Sequence, residues 1–311
     1  MKKQIKIVSV NISEKKGTVK KPVNTINLTK KGIPEDAHSG SWHRQISLLG
    51  QESFDKFAVL AGRKINYGEF AENITTEGIL LYETLPFDKF YNENIELEVT
   101  QIGKKCHGDS CAIYREVGNC VMPKEGIFAR VKKEGFLKAG DILYYSPKIF
   151  KAKIITLSDR AFSGEYQDLS GPRITEILNK FFNDKKYLSQ IENVIIPDDA
   201  EILKKLITES ISNSYDIIIT TGGTGIGPRD ITIETVKPLI EKEIPGIMEA
   251  IRIKYGMEKP NALLSRGVAG ITNKSIIYTL PGSVKAVNEY MEEIQKTIYH
   301  LFLMMNSIDS H

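Results

Sequence analysis

The stretch Asp216-Ile217-Ile218-Ile219-Thr220-Thr221-Gly222-Gly223-Thr224-Gly225-Ile226-Gly227-Pro228-Arg229-Asp230 decides how the second half of this 311-residue chain folds. Its first six residues read as a buried strand, and the chain then turns through glycines into a helix that begins at Ile231. Gly222, Gly223 and Gly225 let the backbone aim several N–H groups at one point, which forms an anion nest. The hydroxyls of Thr221 and Thr224 and the guanidinium of Arg229 add donors. Asp230 stands where a carboxylate can either hold a divalent cation or cap the helix. No Gly-Lys-Ser/Thr ends the loop and the dinucleotide-binding glycine spacing is missing, so a different phosphate chemistry is implied.

Outward from this loop the pattern alternates. Strands are expected at 153–157, 194–196 and 275–280, and helices at 172–182, 200–212, 231–242, 246–255 and from near Ser283. Such alternation gives an α/β domain, three-layered, with a mostly parallel sheet. In the last helix Val284, Val287, Met291, Ile294, Ile298 and Leu301 recur at three- and four-residue spacing, the stripe of a helix packed on a sheet. Open sheets of this kind bind ligands outside the carboxyl ends of their strands, and three further loops lie there. Ser158-Asp159-Arg160-Ala161-Phe162-Ser163-Gly164 continues through Tyr166, Asp168, Ser170 and Gly171. It suits a polar ligand near exposed N–H groups, or it is an ordinary capped loop. In Pro197-Asp198-Asp199 the second carboxylate can cap the next helix, whereas Asp198 has no such duty. Leu280-Pro281-Gly282-Ser283, with Lys285 one turn on, suits phosphate at a helix start, or it is a routine turn. Ser265 and Arg266 add a hydroxyl and a cation.

The first half reads as β-rich, with strands at 5–12, 25–28, 45–49, 95–100 and 141–145 and one helix at 51–59. Tyr145-Ser146-Pro147-Lys148 marks the boundary, which gives domains 1–148 and 149–311. Gly32-Ile33-Pro34-Glu35-Asp36-Ala37-His38-Ser39-Gly40-Ser41-Trp42-His43-Arg44 gathers acid, imidazole, the one Trp and a guanidinium in one turn-rich segment. The three cysteines, Cys106, Cys111 and Cys120, are an odd number in a short segment, which argues against a disulfide framework. Structural zinc, a reactive thiol beside His107 or Arg115, and buried inert cysteine all remain open, although the two-residue gap of zinc knuckles is absent. Hydrophobic residues at 41% and charged residues at 26% indicate ordinary globular folding. A net charge of +3, with signs interspersed, gives no reason to expect nucleic-acid binding. No apolar run is long enough to span a membrane, and the N-terminal residues read as a first strand, not an export signal. The expected compartment is the cytoplasm.

In the second half Ser158–Gly171 (158–171), Ile196-Pro197-Asp198, the glycine loop with Thr232, Glu243-Ile244-Pro245-Gly246, Leu264-Ser265-Arg266 and 280–287 together resemble the molybdopterin adenylyltransferases, the MogA/MoaB-like domain. Their order covers nearly all of 151–305. Val284 stands where the family often has Pro, and Thr279 where many members carry Asn. The resemblance implies attack of the molybdopterin phosphate on the α-phosphorus of ATP, with Mg2+ as cofactor. It makes Asp198 and Asp230 the essential carboxylates and metal ligands. Ser158, Asp168, Ser170, Gly171, Thr221, Gly222, Gly223, Thr224, Gly225, Arg229, Ser265, Pro281, Gly282, Ser283 and Lys285 become the substrate- and nucleotide-binding set. A homotrimer follows by the same analogy.

In the first half the segment before Leu48, Glu72-Asn73-Ile74-Thr75-Thr76-Glu77-Gly78 and the cysteine segment resemble the MOSC domain over roughly 4–147. That resemblance implies a β-rich, barrel-like fold that binds the mature molybdenum cofactor or carries sulfur. Cys111 best fits the sulfur-carrying cysteine and Cys106 is second, with His43 and Arg44 toward phosphate or pterin. Small-molecule substrates, a molybdenum-insertion enzyme and a molybdoenzyme apoprotein are the implied partners. The alternatives are a non-catalytic cofactor carrier and a reductase partner acting on N-hydroxylated bases, although no flavin or iron–sulfur motif is present.

Overall fold

A computed structural model describes residues 3–105 and 120–308. Two compact units divide between Lys148 and Ile149, the second running to Asn306, while Ser307 and Ile308 group with the first.

In the first unit the strands are β1 (Gln4–Ile12), β2 (Lys21–Val23), β3 (Thr25–Leu28), β4 (Ile46–Gly50), β5 (Ile74–Glu77), β6 (Lys89–Tyr91), β7 (Glu96–Ile102), β8 (Ile127–Lys133), β9 (Gly135–Lys138) and β10 (Ile142–Ser146). Seven of them close a ring in the order β1-β10-β6-β7-β8-β4-β5, back to β1. Only β4–β5 is parallel within it. Alternation along β1 sends Ile5 and Ile7 inward to meet Ile46, Leu48, Leu97, Val99 and Leu143, so the barrel is filled by side chains. The β3–β9 pair adds Ile26, Leu28 and Leu137 to the same core. Helix α1 (Gln51–Ala61) and the short α2 (Met122–Glu125) build a satellite cluster of Phe54, Phe57, Phe70 and Met122.

The second unit has a six-stranded sheet ordered β12-β11-β13-β16-β15-β14, from β11 (Ile149–Leu157), β12 (Leu188–Ile196), β13 (Ile217–Thr221), β14 (Lys242–Glu243), β15 (Ala269–Thr272) and β16 (Ser275–Leu280). The first four in that order are mutually parallel and the last two join antiparallel. Its helices are α3 (Asp159–Phe162), α4 (Ser170–Asp184), α5 (Ala200–Ser212), α6 (Thr232–Val236), α7 (Pro245–Gly256) and α8 (Val284–Met305). Ile155, Ile218 and Ile277 bury one sheet face against Leu203 and Ile207 of α5 and Ile233 and Val236 of α6. On the other, Phe150 stacks on Phe182 of α4 and lies against Phe302 of α8, with ring centroids 4.9 and 4.5 Å apart. This is the three-layer α/β arrangement. The expected stripe on α8 is buried at Val287, Met291, Ile294, Ile298 and Leu301, each such burial contributing about 1.5–3 kcal/mol.

One expected helix is corrected. The stretch 231–242 is not continuous: α6 stops at Val236, a 3-10 turn follows over Lys237–Leu239, and β14 begins at Lys242. Pro238 lacks an N–H and disfavours helical geometry at Lys237, which accounts for the early stop. Among the described residues no helix is long and apolar enough to cross a membrane.

Candidate active site

Strand order reverses beside β11: the chain moves from β11 to β12 on one side, then crosses to β13 on the other. A crevice opens at such a switch point, outside the carboxyl ends of the strands. The loops after β11, β12, β13 and β16 all emerge there.

The glycine loop is built tightly onto its neighbours. Gly222 N–H donates to Leu280 O (3.0 Å) and Thr221 Oγ1 to Pro281 O (2.9 Å), tying the ends of β13 and β16 together. Gly222 has φ of 104°, and a Cβ there would lie 2.3 Å from Leu157 O, so only glycine serves. A Cβ on Gly225 would meet Asp230 Oδ2 at 2.8 Å. Asp230 Oδ2 accepts from Gly227 N–H (2.7 Å), and Thr232 Oγ1 donates to Gly222 O (2.8 Å), so the loop folds over its own carboxylate.

Asp198 and Asp199 separate as the sequence suggests. Asp199 Oδ1 caps α5 by accepting from Ile202 N–H (2.9 Å). The side chain of Asp198 faces the crevice, while its N–H donates to Asp159 Oδ1 (3.0 Å). Asp159 also pairs with Arg229, whose Nη2 lies 3.7 Å from Asp198 Oδ2. Burial first, and then the charge of Asp230, push the Asp198 carboxyl above its ordinary value.

The crevice has two lobes. One, of about 490 Å3, is lined by Thr224, Gly225, Lys259, Ser265, Pro281, Gly282, Ser283, Lys285 and Tyr290. The other, of about 460 Å3, is lined by Ser158, Asp159, Arg160, Asp198 and Arg229. Gly223 and Asp230 line both. In the first lobe Ser265 Oγ accepts from Tyr290 O–H (2.8 Å) and Ser283 Oγ caps α8 through Ala286 N–H (3.2 Å). The ammonium of Lys259 lies close enough to Lys285 to lower its pKa, while Glu289 chiefly holds Lys259 above the ordinary value. Glu289 pairs with Lys259 at 2.8 Å, and Lys285 beside it offers a cation to an anionic ligand in this lobe.

Asp168, Ser170 and Gly171 are not brought to these lobes. Asp168 Oδ1 accepts from Ser170 N–H (2.9 Å), Ser170 Oγ (2.8 Å) and Gly171 N–H (3.2 Å), and Oδ2 from Thr156 Oγ1 (2.7 Å). With its lone pairs so engaged it starts α4, and it lines a separate hollow together with Tyr166, Thr175 and Asn193. The geometry gives Asp168 a helix-start role, with Ser170 and Gly171 as its donors. Ser158 divides its duty, since it lines the second lobe and also caps α3 through Ala161 N–H (3.2 Å). Lys259, Tyr290 and Asp159 escaped the sequence reading. The first two lie far from the glycine loop along the chain and carry no local motif, whereas Asp159 lies in the loop after β11 and also suits a helix start.

In the first unit His43 is buried, its ring edge-on to Trp42 at 5.2 Å, and the Arg44 guanidinium lies 3.8 Å over the Trp42 ring. Cys106 and Cys111 lie outside the described residues. Cys120 is half-buried against the Phe54–Phe70 cluster. A polar network that the sequence reading missed lies inside this unit. Asp36 accepts from Lys20 Nζ, from Ser13 N–H (3.0 Å), from Asn73 Nδ2 (3.2 Å) and from His38 N–H (2.9 Å). Burial alone would raise its pKa, but hydrogen bonds from His38 and Lys20 hold it well below the carboxylate range. Glu72, fully buried, accepts from Thr75 Oγ1 (3.1 Å) and Asn11 Nδ2 (3.2 Å), and burial pushes its carboxyl up to about 7. Among the described residues no group of three or more His, Cys, Asp or Glu could hold a metal ion.

An open α/β sheet with a glycine loop and two crevice carboxylates at its strand ends, with Lys285 at the start of α8, defines an α/β domain with a polar crevice at the switch point of its sheet. Residues 153–300 match the family described as "Probable molybdopterin binding domain", and residues 35–144 match the MOSC domain. A molybdopterin adenylyltransferase of Pyrococcus furiosus is 40% identical over 161 residues, which are 50% of this chain and 91% of that protein. One from Helicobacter pylori is 38% identical over 142 residues, 45% of this chain and 79% of that protein. Gephyrin of Dictyostelium discoideum is 39% identical over 160 residues, 50% of this chain, and the chain spans 22% of its length. The chain belongs to the molybdopterin adenylyltransferase family, a family of nucleotidyltransferases of molybdenum-cofactor biosynthesis.

Proposed function

We propose that the second unit transfers the adenylyl group of ATP to the phosphate of molybdopterin and releases pyrophosphate. A phosphate oxygen of molybdopterin attacks the α-phosphorus, and the bond to the bridging oxygen breaks toward pyrophosphate. The observation that carries this reading is the two-lobed crevice with Asp230 at its junction and Asp198 beside it. Two polyanionic substrates must meet there, and such a transfer depends on positioning and charge neutralisation more than on a protein nucleophile. The glycine loop, Ser265, the start of α8 and Lys285 serve the phosphates of one substrate; Ser158 and Arg229 serve the other lobe.

The donor set fits Mg2+. Asp198 is half-desolvated and repelled by Asp230, a situation that a divalent cation relieves. Mg2+ ordinarily takes one or two carboxylates and completes its shell with water and substrate phosphate, so a larger protein cage is not needed. Bound there, it would neutralise phosphate charge during transfer.

For the first unit we infer binding of the mature molybdenum cofactor or sulfur carriage, with Arg44 held by the Trp42 ring toward phosphate or pterin, His43 beside it, and Cys111 before Cys106 for sulfur. A molybdenum-insertion enzyme and a molybdoenzyme apoprotein are the corresponding partners, and a cytoplasmic homotrimer is the corresponding state.

Pyrophosphate release from Mg-ATP with purified molybdopterin tests the reading. Wild-type protein should release pyrophosphate only when molybdopterin is present. Asp198→Ala and Asp230→Ala should each lower the rate about a hundredfold or more. Folded wild type that binds molybdopterin without any release would instead favour a non-catalytic carrier.

A further inference from the structure

Arg266 stands immediately after Ser265, yet among the described residues it is Ser265 and not Arg266 that lines the crevice. Its contacts all run to the glycine loop and the helix that follows. Its main-chain N–H donates to Thr224 O (3.1 Å) and Nε–H to Gly225 O (2.7 Å). Nη2 donates to Asp230 O (3.3 Å), and the guanidinium also pairs with Glu234 of α6. One side chain and its own backbone thus hold three loop carbonyls, and Glu234 anchors the fork at one end.

Peptide geometry gives this clamp a consequence. In a trans peptide the C=O of one residue and the N–H of the next point in opposite directions. Carbonyls of Thr224 and Gly225 drawn toward Arg266 therefore turn the N–H groups of Gly225 and Ile226 away from it. Thr224, Gly225 and Asp230 themselves line the crevice. The same fork holds the main chain of Asp230, whose carboxylate is kept in place by Gly227 N–H.

We propose that Arg266 is a positioning residue for adenylyl transfer: held by Glu234, it fixes the carbonyls of Thr224, Gly225 and Asp230 so that the loop N–H groups and the Asp230 carboxylate face the reacting phosphates. This deepens the adenylyltransferase reading and rests on it. The planar guanidinium is needed because its nitrogens reach Gly225 O, Asp230 O and the Glu234 carboxylate together, whereas a lysine ammonium is a compact point charge without that fork.

The test measures kcat and KM for ATP on the full chain for Arg266→Ala, Arg266→Lys and Glu234→Gln, with thermal unfolding of each. Arg266→Ala should lose about a hundredfold in kcat, the scale on which small misplacements act, with KM changing far less. Arg266→Lys should lie between Ala and wild type, and Glu234→Gln should show a smaller fall of the same kind. Millimolar guanidinium ion should restore part of the Arg266→Ala rate, and the same concentration of sodium chloride should not. Should Arg266→Ala fail to fold, Arg266→Lys carries the test: wild-type kcat in that variant overturns the proposal. So does a reduced kcat in folded Arg266→Ala that guanidinium leaves unchanged. A wild type that releases no pyrophosphate removes the parent reading alone, and the clamp is then tested by calorimetric binding of inorganic pyrophosphate. Arg266→Ala should weaken that binding, and equal affinity for wild type and variant overturns the proposal.

Discussion

Gly222 shows how much of the crevice rests on one missing side chain. Its positive φ strains any L-residue, and a Cβ 2.3 Å from Leu157 O adds a clash with backbone that cannot move without disturbing β11. Gly222→Ala should destabilise the second unit by about 3 kcal/mol or more, read as a lower urea midpoint for that transition. Glu72 carries a different prediction in the first unit. Its carboxyl is raised to about 7 in the folded state by burial, against an ordinary value near 4.5. Between these values the unfolded chain has released its proton and the folded chain has not, so stability falls as pH rises through that window and the loss is complete above about 7. The full change is about 3 kcal/mol. Glu72→Gln keeps an acceptor oxygen for Thr75 and Asn11 and cannot ionise, so its melting temperature between pH 5 and 7.5 should slope less downward than that of wild type. Equal slopes would mean that Glu72 does not titrate in this range. Residue identity was legible where a motif stood next to a strand end, as for Asp198 against Asp199. It was not legible where a contact is made only by folding, as for Lys259 beside Lys285 or Lys20 beneath Asp36.

At the scale of elements, the helix-start role of Asp168 separates two expectations. As a ligand-binding carboxylate it would govern KM; as the acceptor for Ser170, Gly171 and Thr156 it governs whether α4 begins correctly. Asp168→Ala should cost about 1–2 kcal/mol of stability in the second unit, because two helix-start N–H groups and a buried hydroxyl lose their partner. A raised KM for ATP or molybdopterin with unchanged stability would keep Asp168 in the binding set. Long elements with a clear period were readable: α5 and β16 have the expected bounds, and α8 carries the expected stripe. Strands of two or three residues, such as β2, β6 and β14, are too short to display alternation and exist because a neighbouring strand offers hydrogen bonds. β5 was hidden for another reason, since Ile74-Thr75-Thr76-Glu77 read as part of a motif. Pro238 ends the helix, although the apolar spacing on either side of it continues the helical period.

At the scale of the whole molecule, two units with separate cores are joined by Pro147-Lys148 between β10 and β11. The alternating second half announced its fold class through strand–loop–helix periodicity. From strand patterns alone the first half was legible only as β-rich, because closure depends on β1 pairing with β10 across nearly the whole unit; the barrel came from the MOSC resemblance. Each unit is large enough to sustain its own core, so a fragment of residues 149–311 should release pyrophosphate with a kcat close to that of the full chain. What the fusion can change is the fate of the product. If the first unit accepts the pterin product or what is made from it, a short covalent link keeps that acceptor at an effective concentration on the order of millimolar, independent of dilution. Adenylylated molybdopterin made by the full chain should then reach an added molybdopterin-binding trap more slowly than product from an equimolar mixture of fragments 1–148 and 149–311, and the gap should widen on dilution. Equal capture at every dilution would mean that the link serves only to co-express the two units. A gap that disappears on changing His43 and Arg44 to Ala would place the accepting site in the first unit.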